Sequence, residues 1–362
     1  MLRPFGSAQD RRAQHERKVI TDLNSCSVRP ERCRRVNGRF RVLLTFLFLL
    51  LSSFPTARAA DKVVADFGGV SGFQSASWVA KDLRLFEKYG LNVDLVMITG
   101  GARSVAALLG GSTQFATGSG TAPLLAYARG SDVVILAASY NKFPYAFVVK
   151  PDIRSPKDLR GKKVGILNFG GSNDVALQLA LKEWGLKQQE MNVIIGGDAP
   201  TRLLSLTVGS LDATILSPPH LTMAVKAGYR VLADMGEMRA NFSQSTLYVR
   251  RGYLRENRDI VKRFLKAYSE AVHLVKTDRE RTLKVFAKRM RLDDQEILND
   301  TYSYFAPRFS FPPRVNMQGI KDTLDFYAET SPELRGRKPE EFVDPSLLDE
   351  LEKEGFFKGL GS

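Results

Sequence analysis

The same punctuation occurs twice in this chain, 98 positions apart. Gly111-Ser112, Gln114, Ser119 and Gly130 return as Gly209-Ser210, Asp212, Ser217 and Gly228, and the pairs 111/209, 119/217 and 130/228 all keep that offset. Each copy holds a short apolar run, a turn bearing serine, then a helix-compatible stretch closed by glycine. The unit reads as strand, turn, helix. Upstream the match continues more loosely, from Gly90-Leu91 to Gly100-Gly101 against Gly185-Leu186 to Gly196-Gly197. The period is too long for a solenoid, whose repeats run about 20–50 residues. It predicts two similar α/β lobes, and two such lobes enclose a cleft.

At 362 residues the chain can hold two or three domains. Its net charge of +14 invites a nucleic-acid reading until it is divided along the sequence. Residues 1–60 hold twelve Lys/Arg against four Asp/Glu, an excess of eight, so only six of the fourteen belong to the rest. That remainder argues weakly for an anionic ligand and against a nucleic-acid partner. The early charge has a targeting explanation: a basic stretch (32–41) precedes an apolar run (42–54), and Ala57-Arg58-Ala59 offers small residues where a signal peptidase reads. The expectation is a cleavable signal cut after Ala59, with 1–35 an unusual extension in front of it. The apolar run is shorter than the roughly 20 residues of a transmembrane helix. Both cysteines, Cys26 and Cys33, precede the cut, so the mature chain has no thiol and no lipid-attachment site. These features together predict a periplasmic protein.

From Lys62 onward β-rich runs alternate with helical ones, the pattern of α/β layers built on mostly parallel sheets flanked by helices. The expected division is 1–59 extension and signal, 60–150 first lobe, 151–245 second lobe, and 246–362 a return to the first lobe followed by a helical tail. The polar, proline-punctuated stretch 151–163 is expected to be the first crossover between lobes, and 246–250 the returning strand. The tail is expected to pack on the first lobe. Two crossovers make a hinge.

Ligands of parallel α/β sheets bind beyond the carboxyl ends of the strands. The turns at those positions carry Ser71, Phe73, Gln74 and Ser75; Gly101, Arg103 and Ser104; Ser119 and Thr121; Asn168, Gly170, Gly171 and Ser172; and Ser217 with His220. Glycine and small residues let backbone N–H groups approach a ligand, and each helix start adds about half a positive charge. Several such turns around one cleft form an anion cradle that needs no buried arginine; the plain alternative for any one turn is a tight helix start. Phe73 and Tyr145 can stack on an organic ligand or pack in the wall. Arg103 can pair with a sulfonate or carboxylate, or lie on an exposed helix face. Asp198 reads as a helix N-cap. With only His220 and His273 after the signal, and no cysteine, neither a metal site nor a cofactor is expected. Cysteine nucleophilic catalysis is excluded there, no Gly-x-Ser-x-Gly elbow supports a serine hydrolase, and no phosphate-binding loop occurs.

The segments 87–96, 106–118, 155–165 and 208–213, above all the run Lys157-Asp158-Leu159-Arg160-Gly161-Lys162, resemble the periplasmic substrate-binding proteins of nitrate, sulfonate and taurine ABC importers, which share a domain with thiamine-pyrimidine-precursor proteins. That resemblance covers about 62–250. It implies a two-lobed type II periplasmic binding protein fold and a monomer that captures a small organic anion or zwitterion for an inner-membrane ABC permease, without catalysis. The family's ligand turns match those named above. Its pyrimidine synthases rely on a cysteine-rich motif that is missing here, which leaves heterocycle synthesis or degradation as the alternative reading.

Overall fold

The computed structural model describes residues 60–361, so the expected signal and its cut lie outside the described residues. Ten strands are β1 Asp61–Phe67, β2 Leu91–Met97, β3 Phe115–Gly118, β4 Val133–Tyr140, β5 Ala146–Val149, β6 Lys163–Ile166, β7 Asn192–Ile195, β8 Ala213–Leu216, β9 Arg230–Asp234 and β10 Gln244–Arg250. Between and after them run helices α1 Ser75–Asp82, α2 Leu85–Lys88, α3 Gly101–Leu109, α4 Thr121–Ala128, α5 Ser172–Glu183, α6 Ala199–Thr207 and α7 His220–Lys226. Seven more follow β10: α8 Arg251–Glu256, α9 Arg258–Thr277, α10 Arg279–Met290, α11 Gln295–Phe305, α12 Met317–Tyr327, α13 Ser346–Lys353 and α14 Phe356–Leu360.

Two five-stranded sheets result, ordered β2-β1-β3-β10-β4 and β7-β6-β8-β5-β9. The orders correspond strand for strand, which is the duplication predicted from the spacing. In each, four strands share one direction and the fourth in order, β10 or β5, runs against both neighbours. The repeated glycines have a backbone reason: Gly111 and Gly209 lie at φ 77° and 79°, and Gly130 and Gly228 at 81° and 88°, where a Cβ is strained.

One boundary differs from expectation. Strand β5 pairs with β8 and β9, so it belongs to the second sheet, and the chain crosses between sheets at 141–145, ahead of the stretch 151–163. That stretch stays within the second lobe, where Ser155 and Asp158 form a capping box over a 3-10 turn. The physical reason is that a short run of fully buried apolar residues, here Ala146-Phe147-Val148-Val149, fits the middle of either sheet. The return crossing lies at 235–243, before β10.

The tail also does more than cover the first lobe. One face of α9 (Val261, Phe264, Leu265, Tyr268, Val272, Val275) is buried, and the Phe264 ring stacks on Phe115 of β3 at 3.8 Å. Farther along, Tyr304 donates to Asp234 at 3.1 Å, Asp294 and Glu296 bind Lys226 at 3.3 and 2.7 Å, and Tyr327 donates to the Gly170 carbonyl at 2.8 Å. Helices α11 and α12 therefore touch both lobes. Among the described residues no helix is long and apolar enough to cross a membrane.

Candidate ligand-binding site

The carboxyl ends of the two sheets face one another across a cleft of about 870 Å³. Three helices that start on glycine begin at its wall, α3, α4 and α5. Their N-caps are Gly100, Gly120 and Gly171, and none has a side-chain cap. Helices α6, α10, α11 and α12 instead start on Asp198, Asp278, Asp294 and Asn316, each accepting a first-turn amide. The three glycine-capped helices therefore keep first-turn N–H groups free of side-chain acceptors on the cleft side, the arrangement that accommodates an anion.

Of the residues singled out from sequence, Phe73, Gln74, Gly101, Ser104, Ser119, Thr121, Tyr145, Asn168, Gly170, Gly171 and Ser172 line this cleft. The Phe73 ring of the first lobe and the Tyr145 ring at the end of the crossing meet edge to face at 6.0 Å, and Tyr145 shares a 2.8 Å hydrogen bond with Ser172. Burial pushes the Tyr145 hydroxyl up to about 12, so it stays a neutral donor or acceptor. Ser119 and Thr121 bond to each other at 2.5 Å.

Five candidates stand elsewhere. Ser71 and Ser217, the second a landmark of the repeat, bond to each other at 2.9 Å across the lobes, and Ser71 also donates to the Pro218 carbonyl at 2.9 Å. They join the lobes to each other and do not line the cleft. Ser75 is fully buried at the start of α1. Arg103 is exposed on α3, as an ordinary helix-face arginine is. His220 is buried at the start of α7, where burial first and then the nearby Arg202 charge depress its pKa to about 4. Asp198 caps α6, accepting from the Thr201 amide at 3.1 Å and its hydroxyl at 2.6 Å. The serine pair gives a measurable expectation: Ser217→Ala removes one inter-lobe hydrogen bond, worth about 0.5–1.5 kcal/mol net. Ligand affinity should weaken roughly two- to tenfold if lobe contact is part of binding, and an unchanged Kd by calorimetry would separate the latch from capture.

Several residues of the site have no signature in the sequence. Gln244, at the start of β10, lines the cleft and its buried Oε1 has no partner. Tyr248 of the same strand reaches Ser104 at 2.9 Å, and Ser104 donates to Asp66 at 2.8 Å. Asp66 is fully buried, with Thr113 at 3.3 Å as its other hydroxyl donor, and desolvation raises its pKa to about 6. On the second lobe Arg202 is 4% exposed. It donates to the Gly197 carbonyl and, at 3.0 Å, to the Ile215 carbonyl, while its Nε has no partner. This buried arginine, which the anion-cradle reading did not require, is held at the β7–α6 turn and is not among the residues lining the cleft. No regular spacing announces an aspartate inside a strand or an arginine on the first turn of a helix. Among the described residues no group of three or more His, Cys, Asp or Glu could hold a metal ion.

Two duplicated lobes, two crossings and a cleft at facing strand ends define the periplasmic binding protein fold. The NMT1/THI5-like family profile matches residues 75–281, and the chain belongs to that family. It is 27% identical over 252 residues to a Brucella abortus protein described as a binding protein, covering 68% of this chain and 77% of the relative. It is 31% identical over 188 residues to the taurine-binding periplasmic protein of Escherichia coli, covering 50% and 57%. Among solved structures, the periplasmic aliphatic sulphonate binding protein of Escherichia coli superposes with a TM-score of 0.63 at 22% identity, over 79% of this chain and 98% of that one. A desulfurization enzyme shares the fold at a TM-score of 0.59 and 14% identity, over 81% and 99%. At these identities the structural likenesses establish the fold alone.

Proposed function

We propose that the protein is the periplasmic solute receptor of an ABC importer, a monomer that closes its lobes on a small organic anion or zwitterion of the sulfonate class and presents it to a membrane permease. The observation that carries this reading is the cleft itself, where three glycine-capped helix N-termini converge between two lobes joined by two crossings. The relatives named for binding taurine and sulfonates agree with it. The contacts would come from the turns that line the cleft, with Phe73 and Tyr145 against the organic part. Exported location follows from the basic and apolar pattern ahead of Ala59 and from the relatives' compartment.

Because the fold also serves a desulfurization enzyme, it does not by itself separate capture from turnover. Two observations favour capture: the exported chain has no cysteine, and His220 lies outside the cleft lining and is neutral at pH 7. A ligand that binds only the folded state stabilises it by about 2.7 kcal/mol at a hundredfold excess over Kd. The expected result with alkanesulfonates is therefore a saturable rise in melting temperature and a stoichiometric calorimetric isotherm, with the ligand recovered intact. Chemical change of the ligand, abolished in His220→Ala, would replace this reading with the enzymatic one.

A further inference from the structure

Two carboxamides line the cleft with nothing in the protein to bond to. Gln74, in the turn after β1, is 5% exposed, and Gln244, the first residue of β10, is 3% exposed; both belong to the cleft lining. Among the described residues neither side chain makes a hydrogen bond, and the Oε1 of Gln244 is buried without a donor. The Gln74 amide lies over the opening turn, its Nε2 3.4 Å from where a Gly68 side chain would begin. Gln244 pairs with Tyr140 of β4, which joins the two strand ends where the crossings leave and re-enter the first sheet. The two amides therefore stand on the hinge side of the cleft and on the turn in front of it.

A buried polar group without a partner is costly, and native proteins leave few of them. Two on one cleft point to a partner that arrives with the guest. A carboxamide carries a donor and an acceptor, and a half-turn of the amide exchanges them, so it complements a group that also donates and accepts. A hydroxyl or a carboxamide does both, whereas a sulfonate oxygen only accepts. The anionic group has its own place at the free N-termini of α3, α4 and α5. An ammonium donates, but the charged residues of the described lining are Arg129 and Asp132, both beyond the far end of α4, and the helix N-termini repel a cation nearer the strand ends. Asp66 is hydrogen-bonded at both oxygens, by Ser104 and Thr113, and is not part of the lining. At about 870 Å³ the cleft lies near the upper end of small-molecule sites, roughly 300–1,000 Å³, with room for both groups on one guest.

Resting on the receptor reading above, we infer that Gln74 and Gln244 set the specificity of the cleft, selecting an organic anion that carries an uncharged hydroxyl or carboxamide group besides its acidic one. The acidic group lies at the helix starts and the uncharged group is read by the two glutamines. A plain anion leaves both carboxamides unpaired in a closed cleft. An ammonium in place of the hydroxyl meets no counter-charge there.

The test is calorimetry at pH 7 with two matched series: propane-1-sulfonate, 3-hydroxypropane-1-sulfonate and 3-aminopropane-1-sulfonate, then hexane-1-sulfonate, 6-hydroxyhexane-1-sulfonate and 6-aminohexane-1-sulfonate. In at least one series the hydroxyl member should bind about fivefold or more tightly than the plain and the amino members. Gln244→Met, which keeps the length without the polarity, should bring the hydroxyl-to-plain ratio to near one, and Gln74→Met should lower it. Ligand-free Gln244→Met should melt at or above the temperature of the native protein, because an unpaired buried amide has been removed. Plain or amino sulfonates binding as well as their hydroxyl counterparts in both series would overturn the inference and leave the receptor reading standing. A ratio that survives both substitutions overturns it too. An equal loss of affinity for every member in Gln244→Met, with a lower melting temperature, marks a merely structural role and has the same consequence. If no probe binds, the sulfonate-receptor reading falls and this inference falls with it.

Discussion

Trp78→Ala is expected to lower the unfolding free energy by about 3–5 kcal/mol, the range for removing a large aromatic from a close-packed core. The side chain is 0% exposed and meets Phe67 of β1 edge to face at 5.8 Å. Its helix, α1, is packed under α9 and carries at its front the turn 71–75 that contributes to both the cleft and the lobe latch. Deleting the indole leaves a cavity that α1, clamped on several sides, cannot close. A gain from removing the unpartnered indole N–H offsets only part of this. Urea titration followed by far-ultraviolet circular dichroism measures the change. A loss below about 1 kcal/mol would mean that the first lobe tolerates a void beneath its ligand turn, contrary to the packing described.

The second large effect is a mirror-image pair of pH dependences. Asp66 has a folded-state pKa raised by burial from 3.8 to about 6. Between those values the folded state holds a proton the unfolded state has released, so stability falls as pH rises through the window, by about 3 kcal/mol at about 1.4 kcal/mol per unit. His220 is the reverse case, lowered by burial from 6.5 to about 4. Its unfolded state binds the extra proton, so stability falls as pH drops from 6.5 towards 4, again by about 3 kcal/mol. In the native protein the two slopes oppose each other across roughly pH 4–6. Each variant should expose the other. The stability advantage of ligand-free Asp66→Asn over the native protein should grow from near zero at pH 4 to about 3 kcal/mol at pH 7, and that of His220→Gln should grow in the opposite direction. Differences that stay constant with pH would show that neither group is held in the protonation state its burial demands.

Much of the architecture was legible before any coordinates. Glycine at a left-handed turn leaves a mark because few other residues tolerate it, so Gly111, Gly130, Gly209 and Gly228 reported two equivalent lobes. Turn residues beyond strand ends were legible for the same local reason, and ten of the fifteen chosen from them line the cleft, as does Tyr145. The five others show the limit. Ser71 and Ser217 have the composition of ligand-facing turns, yet they meet each other across the lobes. Ser75 and Arg103 adjoin cleft-lining residues in sequence and do not line it themselves, whereas the whole turn before His220 stays out of the lining.

Short-range chemistry in the sequence determined the elements, their punctuation and the duplication, since propensity, glycine conformation and capping act over a few residues. Sheet membership, tail position and the burial of charged groups belong to the tertiary structure. Ala146-Phe147-Val148-Val149 carries no label for one sheet or the other, and only its hydrogen-bonded neighbours β8 and β9 place it in the second. Asp66 and Arg202 are ordinary letters in a strand and a helix. They become buried charges only when strands and turns distant in sequence pack around them, because burial and electrostatic environment are properties of the folded chain.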